Sequence, residues 1–124
     1  MNKSRSASGL AVATVATALL LAAPHAEAGP PAASRSFRAD FYLPGCKSFL
    51  AGRNNFESGR CVGAIEVLDA VNQDTKLFCP PANNSNLQRV RAVVSYLEAH
   101  PDRLNEDFRL LANEAMAQTW PCKS

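Results

Sequence analysis

From residue 41 to the C-terminus, apolar residues recur at three- and four-residue spacing, and no segment alternates them as a half-buried strand would. Four helices are predicted. In "FYLPGCKSFLAG", Pro44 can open a helix of about two turns carrying Cys46, Phe49 and Leu50, with Gly52 and the following Arg-Asn-Asn as its end. Cys61, Ile65, Leu68 and Val71 mark one face of a second helix over residues 57–72. Gly59 and Gly63 lower its propensity, but, spaced four apart, they leave a small-residue strip where a neighbouring helix can come close. Ser85, followed three residues later by Gln88, is the capping-box pattern that starts a third helix. Leu87, Val90, Val94 and Leu97 form its stripe, widened by Val93 and Tyr96, and Pro101 stops it. The fourth is expected to start at Asp102 as N-cap, with Glu106 and Asp107 in its first turns where the helix dipole favours negative charge. Leu104, Phe108, Leu111 and Ala115 supply its core face, and Trp120-Pro121-Cys122 ends it. The pattern is that of an all-α, small four-helix domain over residues 41–124, joined by short turns.

The N-terminal part reads differently. Residues 1–28 combine a basic start at Lys3 and Arg5, an uncharged apolar run over residues 10–23, and the small-x-small sequence Ala26-Glu27-Ala28. This is the pattern of a secretory signal peptide. The run is short of the roughly 20 apolar residues that a membrane span needs, so export without a membrane anchor is expected. Residues 29–40, "GPPAASRSFRAD", have no periodic apolar face and read as a flexible leader.

Of 13 basic and 11 acidic residues, the signal segment holds two and one, which leaves a net charge of about +1 on the exported part. The remaining basic residues are scattered, so there is no footprint for nucleic acid or for an anionic membrane. A domain this small usually needs cross-links or a partner subunit. Its four cysteines, Cys46, Cys61, Cys79 and Cys122, all lie in the exported part, as two disulfides in an oxidising compartment would require.

Four cysteines allow three pairings. If the third and fourth helices form an antiparallel pair across a short His100-Pro101-Asp102 turn, the start of one lies beside the end of the other, which brings Cys79 near Cys122. Cys46 and Cys61 would then tie the first helix to the second. By loop entropy the longer closure contributes about 4 kcal/mol and the shorter about 3 kcal/mol.

Other chemistry is sparse. The cysteines lack the paired C-x-x-C spacing of zinc or redox sites, and His100 is the one histidine of the exported part, at a helix end before a proline. A thiol nucleophile would need a base, and His100 reads as a helix C-terminal residue beside the dipole. Glu66 with Asp69, and Glu106 with Asp107, fit the solvated faces of helices. Asn83-Asn84-Ser85 matches a glycosylation acceptor, but the helix cap already explains Ser85. No cofactor, metal or catalytic set is expected, and binding another protein is the action left.

The ordered set "YLPGCKSFLAG", "GRCVGAIEVL", "LFCPP", "VVSYLEAHPDRLNEDFRLLANEA" and "WPCKS" resembles the Rap/Tai family of small periplasmic immunity proteins, associated with type VI secretion amidase effectors. Tyr96-Leu97-Glu98-Ala99-His100-Pro101 and Trp120-Pro121-Cys122 carry most of it. The resemblance implies a compact helical homodimer, without catalytic residues of its own, that binds a peptidoglycan amidase effector in the periplasm and blocks its groove. Steric blocking needs a rigid protruding element. The connection 80–84 qualifies, because Pro80 and Pro81 limit its freedom and a bridged Cys79 would anchor it, which makes Pro81, Asn83 and Asn84 candidate contacts. A small periplasmic stress chaperone is the alternative, and the carboxylates would have to supply its pH trigger.

Overall fold

The computed structural model describes residues 34–124, together with Gly9 and residues 11–13. The expected signal peptide otherwise lies outside the described residues, as do residues 29–33 of the leader. Four helices follow in order: α1 Ala39–Leu50, α2 Phe56–Thr75, α3 Asn86–Ala99 and α4 Phe108–Thr119, with 3-10 turns at Arg35–Phe37 and Pro101–Arg103. Among the described residues there is no strand, only an isolated antiparallel bridge between Arg38 and Asp107.

That bridge corrects two expectations. The first helix starts at Ala39 rather than at Pro44, so the last residues of the leader belong to the folded domain, and Ala39 is fully buried. Its first N–H groups donate to carbonyls of the α3–α4 connection, Ala39 to Glu106 at 2.9 Å and Asp40 to Leu104 at 2.8 Å. These distant acceptors satisfy the orphan donors of a helix start, and nothing local to residues 35–44 announces them. Pro44 lies inside the helix on its exposed side, where water can take the hydrogen bond that its missing N–H cannot make. Residues 104–106 form a turn, closed by the Glu106 N–H on the Arg103 carbonyl at 2.9 Å, that offers those carbonyls to α1, and α4 begins with Asp107, not Asp102, as its N-cap.

α1 and α2 form the tightest pair. A Cβ on Gly45 would overlap the Glu57 carbonyl, so glycine is what lets the backbones meet there. Beside this contact Cys46 and Cys61 are bridged, fully buried, with Cα atoms 5.2 Å apart. Gly52, at a positive φ of 75°, ends α1 as expected. Three residues on, Asn55 caps α2 in a reciprocal box with Ser58.

Gly59 and Gly63 do not serve a helix contact: a Cβ at either would meet nothing within 4 Å. Val71 is likewise not a core residue of α2 but half exposed, and the buried position beside it is Asn72. In α3, Val90, Val93, Val94 and Leu97 are buried as the stripe predicts, and only Leu87 in the first turn departs from it, at 42% exposed. Phe108, Leu111, Ala115 and Met116 of α4 close the core with Ile65 and Phe78, and Tyr42 stacks on Phe108 at 4.3 Å between ring centres.

Candidate partner-binding site

The connection between α2 and α3 leaves the helix through Lys76, whose φ of 54° is left-handed and turns the chain sharply. Phe78 then plunges into the core at 1% exposure. Its backbone is gripped by one side chain: the Asn72 amide donates to the Phe78 carbonyl at 2.7 Å and accepts from the Phe78 N–H at 3.0 Å. Asn72 thus replaces both partners that an irregular buried backbone lacks. One residue on, Cys79 is bridged to Cys122, with Cα atoms 4.9 Å apart, and its N–H donates to the Trp120 carbonyl at 2.8 Å. The favoured pairing of all four cysteines is the one found.

The far end of the connection is equally fixed. The Ser85–Gln88 capping box is formed, with the Ser85 N–H on the Gln88 side chain at 2.8 Å. Asn86 donates to Glu66 of α2 at 2.6 Å, and Arg89 bridges to Asp69 at 3.1 Å. Between these anchors a turn closed by Asn84 N–H to Pro81 carbonyl, 3.0 Å, presents Pro81, Ala82 and Asn83 to solvent. Asn84 differs from the other two candidate contacts, because its side-chain amide is turned inward and has no solvent exposure. Below the loop a groove of about 450 Å³ is lined by Asp69, Gln73, Lys76, Pro80, Pro81 and Arg89, among others.

A second constellation was not foreseen. Arg103 donates to Glu106 at 2.8 Å, to Glu114 at 2.7 Å and to the Tyr96 hydroxyl at 2.8 Å, while that hydroxyl donates to Glu114 at 2.6 Å. Hydrogen bonds from Arg103 hold the carboxyls of Glu106 and Glu114 below the usual carboxylate range, with Tyr96 adding to the effect on Glu114. The same Glu114 bond raises the Tyr96 phenol. His100 stacks on Tyr96 at 4.2 Å and places Nδ1 2.7 Å from the Tyr96 carbonyl, at the C-terminus of α3 as expected. The i,i+3 spacing of Arg103 and Glu106 was a visible signal, but Glu114 and Tyr96 reach them only across the fold. Each polar group here is engaged by another, so the arrangement positions the α3–α4 connection rather than poising a proton or a nucleophile.

All four cysteines are in disulfides, and among the described residues no group of His, Cys, Asp and Glu side chains could hold a metal ion. No described helix is long and apolar enough to cross a membrane. No curated protein and no solved structure matches the chain. The family model of Rap1a immunity proteins matches residues 32–122, which takes in α1 to α4 and both disulfides. With that span covered from the leader to the last cysteine, this chain belongs to the family of Rap1a immunity proteins.

Proposed function

We propose that this protein, whose family confers immunity to a secreted effector, is exported to the periplasm by residues 1–28 and there sterically inhibits a peptidoglycan amidase delivered by type VI secretion. It acts by binding and not by catalysis, and the resemblance that names the amidase also implies a homodimer. The observation that carries the inhibitory role is the contrast within residues 78–85: a base fastened by Phe78, Asn72 and the Cys79–Cys122 bridge, and an exposed tip of Pro81, Ala82 and Asn83. A tip ordered before binding gives up little conformational entropy on entering a cleft, which is what a blocking element requires. Two prolines and a disulfide supply that order here.

Asn83 is the contact to test, because Asn84 faces inward. The purified protein is titrated into a cell-wall hydrolysis assay with an amidase encoded beside its gene. Asn83→Trp should leave the melting temperature unchanged and weaken inhibition at least about tenfold, the effect of about 1.4 kcal/mol lost at a contact. Unchanged inhibition by this variant removes the loop from the interface, and no inhibition by the parent protein removes the amidase as its target.

A further inference from the structure

We infer that the solvent face of α2 binds the α2 of a second copy of this chain, antiparallel about a two-fold axis beside Val67. The inference rests on the homodimer reading and gives it a surface and a register. α2 is 20 residues, about 30 Å of helix, and it is apolar on two opposite sides. One side carries Cys61 and Ile65 into the core. On the other, Phe56, Arg60, Gly63, Val67, Val71 and Asp74 follow one another at three- and four-residue spacing along a single stripe. Phe56 is 78% exposed, Val67 62% and Val71 51%. A helix that packs on one side needs one apolar face, and a second contiguous one marks an interaction surface.

The stripe is complementary to itself. In an antiparallel pair centred on Val67, residue 60 of one copy faces residue 74 of the other, and residue 63 faces residue 71. Arg60 then meets Asp74 of the second copy twice over, once on each side of the axis, as an isologous interface demands. Val71 enters the open space above Gly63, where no atom lies within 4 Å of an added Cβ. Val67 packs on itself. Sliding one helix along the other by a turn leaves Arg60 opposite Val71 or beyond the helix end at Thr75, so the charges select this arrangement. Among the described residues neither Arg60 nor Asp74 is in an ion pair within the chain. The half-buried Arg60 guanidinium instead lies over the Phe41 ring at 3.9 Å and beside Phe56 at 5.6 Å, and donates to the Phe41 carbonyl at 3.3 Å, so no carboxylate among the described residues of its own chain neutralises it.

The test is light scattering of the purified exported protein and five variants, each first shown by thermal melt to keep its fold. The parent is expected to be a dimer. Arg60→Asp and Asp74→Arg should each raise the dimer dissociation constant at least about tenfold, and combining them should restore it to about the parent value, because the swapped charges still meet. Val67→Cys should cross-link under oxidation, and Val67→Glu should give a monomer. A dimer that ignores both charge reversals, or that forms no Val67→Cys cross-link, overturns the α2 interface while leaving the homodimer reading in place. A monomeric parent overturns both. Amidase inhibition by the Val67→Glu monomer reads the loop separately.

Discussion

The two long connections of this small domain are fixed by opposite chemistry. Residues 76–85, between α2 and α3, are held by a disulfide, by a buried phenylalanine and by the neutral amide of Asn72. Residues 100–107, between α3 and α4, are held by charge, through Arg103 on Glu106 and Glu114 and through Asp107 on Arg109. The first set is buried or covalent, and charge enters only at its far end, through Asn86 on Glu66 and Arg89 on Asp69. The second lies at the surface, where each ion pair contributes little alone and a network contributes more. The base of the loop proposed to meet an effector is thus held without charge, and the other connection shores up the start of α1.

The largest expected effect that would break this contrast is loss of the Cys79–Cys122 bridge. It closes a 43-residue separation, and the double variant Cys79→Ser/Cys122→Ser should lose about 4 kcal/mol of unfolding free energy in a denaturant titration, by loop entropy. A loss below about 1 kcal/mol would mean that Phe78 and Asn72 hold the loop without the bridge.

Next comes Asn72→Ala, which leaves the Phe78 N–H and carbonyl without partners in a buried place. About 2 kcal/mol should be lost, measured the same way. Asn72→Asp sharpens the comparison: its carboxylate still accepts from Phe78 N–H but cannot donate to the carbonyl, so this variant should gain stability relative to the parent as pH falls and the acid regains a donor.

The smallest effect should come from acid on the charged connection. Glu106, Glu114 and Asp107 have their carboxyls held low in the fold, the first two by Arg103 and the third by Arg109. Their contribution is fully present above the unfolded values, roughly pH 4, and is lost as pH falls through the folded ones. Unfolding midpoints should therefore decline below about pH 4 in the parent and decline less in Arg103→Met. Equal pH profiles for the two proteins would show that the network contributes nothing to the fold.

Much of this was legible because it is local or forced by topology. Ser85 and Gln88 sit three apart, and a capping box needs nothing further away. The Cys79–Cys122 pairing followed from two antiparallel helices whose ends must meet. The errors share one origin. Pro44 and Asp102 are sound helix starts by propensity, but α1 begins where Glu106 and Leu104 offer carbonyls, a signal some 65 residues away in the chain. Val71 and Leu87 fit a core stripe as well as their buried neighbours do, since periodicity defines a face to within about one residue while packing selects the side. The inward turn of the Asn84 amide at Pro81 is likewise a matter of packing that its polarity and loop position do not announce.

By itself, then, the sequence determined the helical class, the number of helices, the cross-links and the family, because spacing, caps and cysteine order are properties of neighbours along the chain. Only the tertiary structure decided where α1 and α4 begin, that Asn72 rather than a cysteine alone grips the loop, and that the second apolar face of α2 is left open. Those depend on which distant backbone groups and side chains come within hydrogen-bonding or packing distance, and short-range forces act on distance in space, not on order in the chain.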